Sequence, residues 1–159
     1  MAKILLMYYS RTGNTEKMAR LIADGIYEVE GVELILKPIA LVSVNDWVYY
    51  DGIIIGAPVY YGTAPWEVKK ALDESVSFHG KLKGKLGGAF ASSANVGGGN
   101  ETTCLGILQA WLIHGMLVMG DHEGDHYGPV SVTAPDERAV KNCKNYGKVF
   151  AETTKKLFG

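Results

Sequence analysis

The feature that most constrains this chain is an alternation. Short, almost uninterrupted apolar runs are separated by longer stretches in which apolar residues return every three or four positions. The first run, residues 3–9, ends in Ser-Arg-Thr-Gly and reads as a strand buried on both faces. Met18, Leu21, Ile22, Ile26 and Val29 then recur at helical spacing, with Asn14 as the expected N-cap and Gly31 as the stop. A strand over 32–39, a short helix over 43–50 capped by Ser43 and a buried strand over 51–56 follow. Pro65 opens a helix through 77 that turns Val68, Ala71, Leu72 and Val76 inward. Next come a strand over 86–92, a largely apolar helix over 101–114 ended by Gly115, and a strand over 116–119. A polar loop over 120–128 leads to a short strand over 129–132. Pro135, Asp136 and Glu137 start the last helix, with Ala139, Cys143, Tyr146, Phe150 and Leu157 along one face.

Five strand-helix units in a row imply a parallel sheet with helices on both faces, because parallel strands need right-handed crossovers. The 159 residues suit one domain, 1–159, large enough to bury a core without disulfide staples. Sixteen basic and 17 acidic residues, with no basic stripe, argue against a nucleic-acid partner. No apolar run approaches the roughly 18 residues of a membrane span, and the N-terminal run reads as a core strand rather than a signal peptide. Cys104 and Cys143 fall within helical patterns, as free thiols in a reducing cytosol do, so a cytoplasmic location is expected.

In open parallel sheets, ligands sit beyond the carboxyl ends of the strands. Three loops leave those ends, over 10–15, 57–62 and 92–100, and all are rich in glycine, hydroxyls or aromatics. The first loop reads Ser10, Arg11, Thr12, Gly13, Asn14, Thr15. Backbone N–H groups at the start of a helix favour an anion, and Gly13 permits a tight turn. Three hydroxyls and an amide exceed what capping alone needs, and a terminal phosphate monoester fits such a nest. A dinucleotide fingerprint and a Gly-Lys-Ser/Thr loop are both absent here. So are a nucleophilic cysteine in this loop and a phosphoacceptor aspartate after the third strand, where Gly56, Ala57 and Pro58 stand.

The first loop resembles the phosphate-binding signature of flavodoxins, and the likeness extends along nearly the whole chain. Pro58, Val59, Tyr60, Tyr61 and Gly62 resemble the second flavin loop of that family. Ser92, Ser93, Ala94, Asn95, Val96, Gly97, Gly98 and Gly99 resemble the third. That third loop has the form also found in the tryptophan-repressor-binding-protein type of NAD(P)H:quinone oxidoreductase. The resemblance implies an α/β, flavodoxin-like, doubly wound five-stranded parallel sheet of order 2-1-3-4-5, with FMN as cofactor. It places the ribityl phosphate in the first loop, and the flavin against Tyr60 or Tyr61, with Trp66 nearby in sequence. By resemblance, the Gly62 peptide lies near the flavin N5. The 97–99 glycines let N–H groups approach the pyrimidine edge, where side chains would intrude.

His122 to His126 spells H-E-x-x-H, but Gly124 and the following Gly128-Pro129 disfavour the helix that a zinc motif needs. The acidic side chains of this loop could disfavour a negatively charged flavin, and His126 and Tyr127 could cover its ring. The quinone-reductase kin carry a long insertion after the fifth strand, whereas Gly120 reaches Tyr127 here in a short stretch. A histidine of that family aligns with Ile113. The expected function is therefore electron transfer between redox partner proteins, by a monomer or homodimer. The alternative is an NAD(P)H:quinone oxidoreductase using the same FMN.

Overall fold

The computed structural model describes residues 1–159. Its ten regular elements are β1 (Ala2–Tyr8), α1 (Asn14–Tyr27), β2 (Val32–Pro38), β3 (Gly52–Pro58), α2 (Trp66–Glu74), β4 (Leu86–Ser93), α3 (Asn100–Ile113), β5 (Leu117–Val118), β6 (Val130–Val132) and α4 (Glu137–Phe158). Short 3₁₀ turns cover Ile39–Leu41, Val44–Tyr49 and Ser75–Phe78. All strand pairs are parallel, in the order β2-β1-β3-β4-β5, with β6 also on β4.

The fifth position of the sheet is split. β5 pairs with the start of β4, Leu86 opposite Leu117, and β6 with its end, Ser92 opposite Ser131. The chain leaves the sheet between them as the 119–129 excursion and then returns to the same row. The short strand read over 129–132 thus shares the fifth row with β5, giving six strands in five rows. The excursion is tied down by Asp121, whose Oδ1 accepts from the N–H groups of Glu123 and Gly124 at 3.0 Å each. Arg138, at the start of α4, pairs with Asp125 and donates to the Val130 carbonyl at 2.9 Å.

Alternate residues of β1 serve two cores, as a period-two chain buried on both faces must. Ile4, Leu6 and Tyr8 pack with Met18, Ile22 and Ile26 of α1 and with Cys143, Tyr146 and Phe150 of α4. Leu5 and Met7 face Val68, Phe78, Cys104, Ile107 and Trp111 beneath α2 and α3. Both cysteines are buried free thiols, and burial raises both above the ordinary thiol range, Cys143 to about 12, which disfavours the thiolate. No helix is long and apolar enough to cross a membrane.

Several local expectations are corrected. Gly13, not Asn14, occupies the N-cap of α1, because only the left-handed turn at φ +100° brings the loop into the helix. That helix ends at Tyr27, and Gly31 turns the chain into β2 instead of stopping the helix. Ser43 precedes a 3₁₀ turn and makes no side-chain cap bond. Val76 is exposed: α2 ends at Glu74, and the tighter 3₁₀ turn rotates Phe78 inward in its place. Leu157 is half-exposed in the last turn of α4. The last helix does start as read, with Asp136 Oδ1 accepting from the Ala139 N–H at 2.8 Å.

Candidate functional site

The carboxyl ends of β1, β3 and β4 are joined before their loops diverge. The Tyr9 N–H donates to the Gly56 carbonyl at 3.1 Å, and the Val59 N–H to the Ser92 carbonyl at 2.7 Å. Thr15 and Ser92 share a buried hydroxyl–hydroxyl bond of 2.8 Å, which ties the start of α1 to the end of β4. Three segments far apart in sequence therefore face one another.

The first loop folds as a nest of donors. The N–H groups of Arg11, Thr12, Asn14 and Thr15 have no acceptor in the protein. Ser10 Oγ turns back on the loop and accepts from Gly13 and Glu16 at 3.2 and 3.3 Å. Four unanswered donors at the positive end of a 14-residue helix require an anion or water. A phosphate monoester meets that requirement.

The second loop is a tight hairpin. Tyr60 and Thr63 exchange reciprocal N–H to carbonyl bonds of 2.8 and 3.2 Å, and the central residues Tyr61 and Gly62 have φ of +50° and +82°. Two positive φ values define a type I′ turn. The turn divides the two tyrosines: Tyr60 lines the cavity, edge-on to Tyr9 with ring centroids 6.3 Å apart, while Tyr61 stands wholly in solvent. Pairing with the Tyr60 phenol, followed by burial, raises Tyr9 above the ordinary phenol range. Trp66 lies outside this cavity and carries Lys70 over its ring.

The third loop approaches the second closely. A Cβ on Gly99, which has φ +111°, would stand 2.8 Å from the Gly62 Cα. The Thr102 hydroxyl, in the first turn of α3, donates to the Gly62 carbonyl at 2.8 Å. Ser93 Oγ donates to the Asn95 carbonyl and receives the Asn100 amide. The N–H groups of Asn95, Val96 and Gly97 remain without acceptors.

One cavity of about 360 Å³ opens between these loops. Ser10, Arg11, Thr12, Asn14, Thr15, Pro58, Val59, Tyr60, Ser92, Ser93 and Ala94 line it, and Arg11 is its one charged side chain. Gly13, Tyr61, Gly62 and residues 95–99 shape the loops from outside its lining. Sequence reasoning missed Thr133, which completes the wall with a strained φ of +61° and an N–H bond of 2.7 Å to the Ser93 carbonyl. Its only sequence signal is its place directly after the last short strand. His126 and Tyr127 line a separate hollow of about 300 Å³ with Glu101 and Asp125. His126 Nδ1 lies 2.9 Å from the Asp121 carbonyl. The H-E-x-x-H segment is a loop, so its histidines do not share a helix face.

An anion nest at a β-α junction, next to a tyrosine-walled slot with free amides, defines a mononucleotide-binding protein of the open α/β class. The family model for the flavodoxin domain matches residues 5–95. A flavodoxin of Aquifex aeolicus is 38% identical over 160 positions, covering 96% of this chain and 86% of its own. An NAD(P)H dehydrogenase (quinone) of Azorhizobium caulinodans is 30% identical over 200 positions, with both chains covered in full. Among solved structures, a WrbA-like flavodoxin from Agrobacterium tumefaciens superposes with a TM-score of 0.83 at 25% identity, covering 99% of each chain. The chain belongs to the flavodoxin family, whose cofactor is FMN.

Proposed function

We propose that residues 1–159 form a single FMN-binding domain that carries electrons between partner proteins in the reducing cytosol. The observation that carries this reading is the cluster of four unanswered N–H groups at the start of α1, opposite the Tyr60 wall. The residues fit the group. Arg11, Thr12, Asn14 and Thr15 supply N–H donors for the phosphate, and each charge-assisted bond contributes about 1.5–3 kcal/mol. Tyr60 offers a face or edge for the ring, while Asn95, Val96 and Gly97 offer amides for its polar edge. Val59 and Ala94 supply apolar contact on the lining of that slot. FMN, when bound, accepts and returns electrons; the protein's part is to hold it, set its surroundings and leave one edge reachable. Tyr61 and Val96, both standing in solvent beside the slot, are the apolar groups a docking partner would meet first.

A carrier is favoured over a quinone reductase by the alignments. The Aquifex flavodoxin needs 160 positions to align, the Azorhizobium dehydrogenase 200 against a chain of 159, so at least 41 of those positions have no counterpart here. The second reading, direct oxidation of NAD(P)H with quinone as acceptor, rests on the adjacent hollow bounded by Glu101, His126 and Tyr127. Steady-state assay of the flavin-loaded protein with NADH and benzoquinone separates the two. The carrier reading expects at most one slow turnover, and a stoichiometric reductive titration whose midpoint spectrum is not the average of its ends. Sustained rapid turnover would transfer the assignment to the reductase.

A further inference from the structure

Three polar side chains behind the third loop are almost wholly buried, and their hydrogen bonds run in one direction. Asn100, Ser93 and Ser131 are 6%, 7% and 1% exposed. The Asn100 Nδ2 stands 2.9 Å from Ser93 Oγ and 3.4 Å from the Ser131 carbonyl. A carbonyl only accepts, so the amide turns its nitrogen there, and the same nitrogen donates to Ser93 Oγ. The Ser93 proton is thereby left for the Asn95 carbonyl, 2.8 Å away, which also accepts from the Gly98 N–H at 3.1 Å. Asn100 Oδ1 has no partner, so both bonds of this side chain are ones it donates. Residues 94–97 are exposed, and the two bonds on the Asn95 carbonyl are the only hydrogen bonds that segment makes.

The carbonyl and the N–H of a trans peptide point in opposite directions. Two donors on the Asn95 carbonyl therefore turn the Val96 N–H away from Ser93 and Gly98, and it finds no acceptor in the protein. The same network reaches the wall at Thr133. Ser131 Oγ donates to the Thr133 carbonyl at 3.0 Å, and the Thr133 N–H donates to the Ser93 carbonyl at 2.7 Å. We infer that Asn100, which lies outside the lining of the slot, is a positioning residue that locks the Asn95–Val96 peptide. Locked in this sense, the third loop offers an N–H, and not a carbonyl, to the polar edge of the flavin. The inference rests on the FMN reading above. An edge rich in acceptors is held by an N–H and repelled by a carbonyl, so the direction of this one peptide decides how well the loop receives it.

Asn100→Asp keeps the size of the side chain and removes both donors. An acidic residue suits the first turn of a helix, so the fold should stand. The carboxylate takes the Ser93 proton, and the Asn95 carbonyl loses its hydroxyl donor. Ser93→Ala removes the same donor without adding charge. Titrations followed by flavin fluorescence should show each variant weakened about two- to tenfold, for FMN and riboflavin alike. The double variant should be no weaker than Asn100→Asp alone, since both changes act through one bond. In the flavin-free chain the Gly98 amide should exchange with deuterium faster in both variants than in the wild type. Unchanged affinities, a loss confined to FMN, losses that add, or unchanged Gly98 exchange would overturn the lock. A wild-type chain that binds neither flavin would overturn the FMN reading instead, and the exchange rates would still decide the lock.

Discussion

Replacing Gly13 by valine isolates the phosphate nest from the rest of the fold. Gly13 has φ +100° and ψ −9°, and a Cβ built on it meets nothing within 4 Å. The penalty is therefore conformational, not a clash. A β-branched residue held in the left-handed region costs about 1–3 kcal/mol, against a total stability of roughly 5–15 kcal/mol. The variant should fold, melting roughly 2–12 °C lower. Relief of that strain rotates the amides of Asn14 and Thr15 away from the nest. Losing two charge-assisted bonds at about 1.5–3 kcal/mol each lowers FMN affinity by a factor on the order of 10² to 10⁴. Riboflavin lacks the phosphate, so its affinity should change little. Titration of the apoprotein with each ligand, followed by flavin fluorescence, measures both. Undiminished FMN affinity in a folded Gly13→Val protein, or an equal loss for riboflavin, would refute the reasoning.

Three further predictions address the surroundings of the site. Ser92→Ala strands the buried Thr15 hydroxyl and should cost about 1–3 kcal/mol in urea denaturation, a loss that Thr15→Val added to it should partly restore. Thr102→Val leaves the Gly62 carbonyl without its donor and should weaken riboflavin and FMN by the same severalfold factor; Thr102→Ser should restore both, and a loss confined to FMN would contradict the loop contact. Burial, with the charge of His79 second, holds His114 below its ordinary 6.5. The unfolded chain then binds the proton more readily, so this contribution is intact above about pH 6.5 and is lost as pH falls below it. The melting point should drop more steeply between about pH 7.5 and 5.5 in the wild type than in His114→Gln, and equal slopes would exclude His114 as the cause.

Local pattern was enough for much of the architecture. The apolar run of β1 and the spacing of Met18, Ile22 and Ile26 each report burial within one element, and burial has the period of the element that carries it. The order of strands and helices, the parallel sheet and the three ligand loops follow from that periodicity and from crossover handedness. Boundaries were less legible where the helix type changes, as at Val76, because a 3₁₀ turn alters the phase without any marker residue.

Other features belong to the tertiary structure alone. Neither Tyr60 nor Tyr61 is distinguished by its neighbours; the type I′ turn, held by a reciprocal bond to Thr63, sends one to the cavity and the other to solvent. Thr133 reaches the wall only because β6 rejoins the row that β5 began, which depends on pairing with β4, some 40 residues earlier. His126 and Tyr127 line a hollow with Glu101 and Asp125, on an excursion that Asp121 and Arg138 tie down. Periodicity records whether a side chain is inside, a property of one segment. Which inside it shares depends on the register between distant segments, and that is settled only when the sheet assembles.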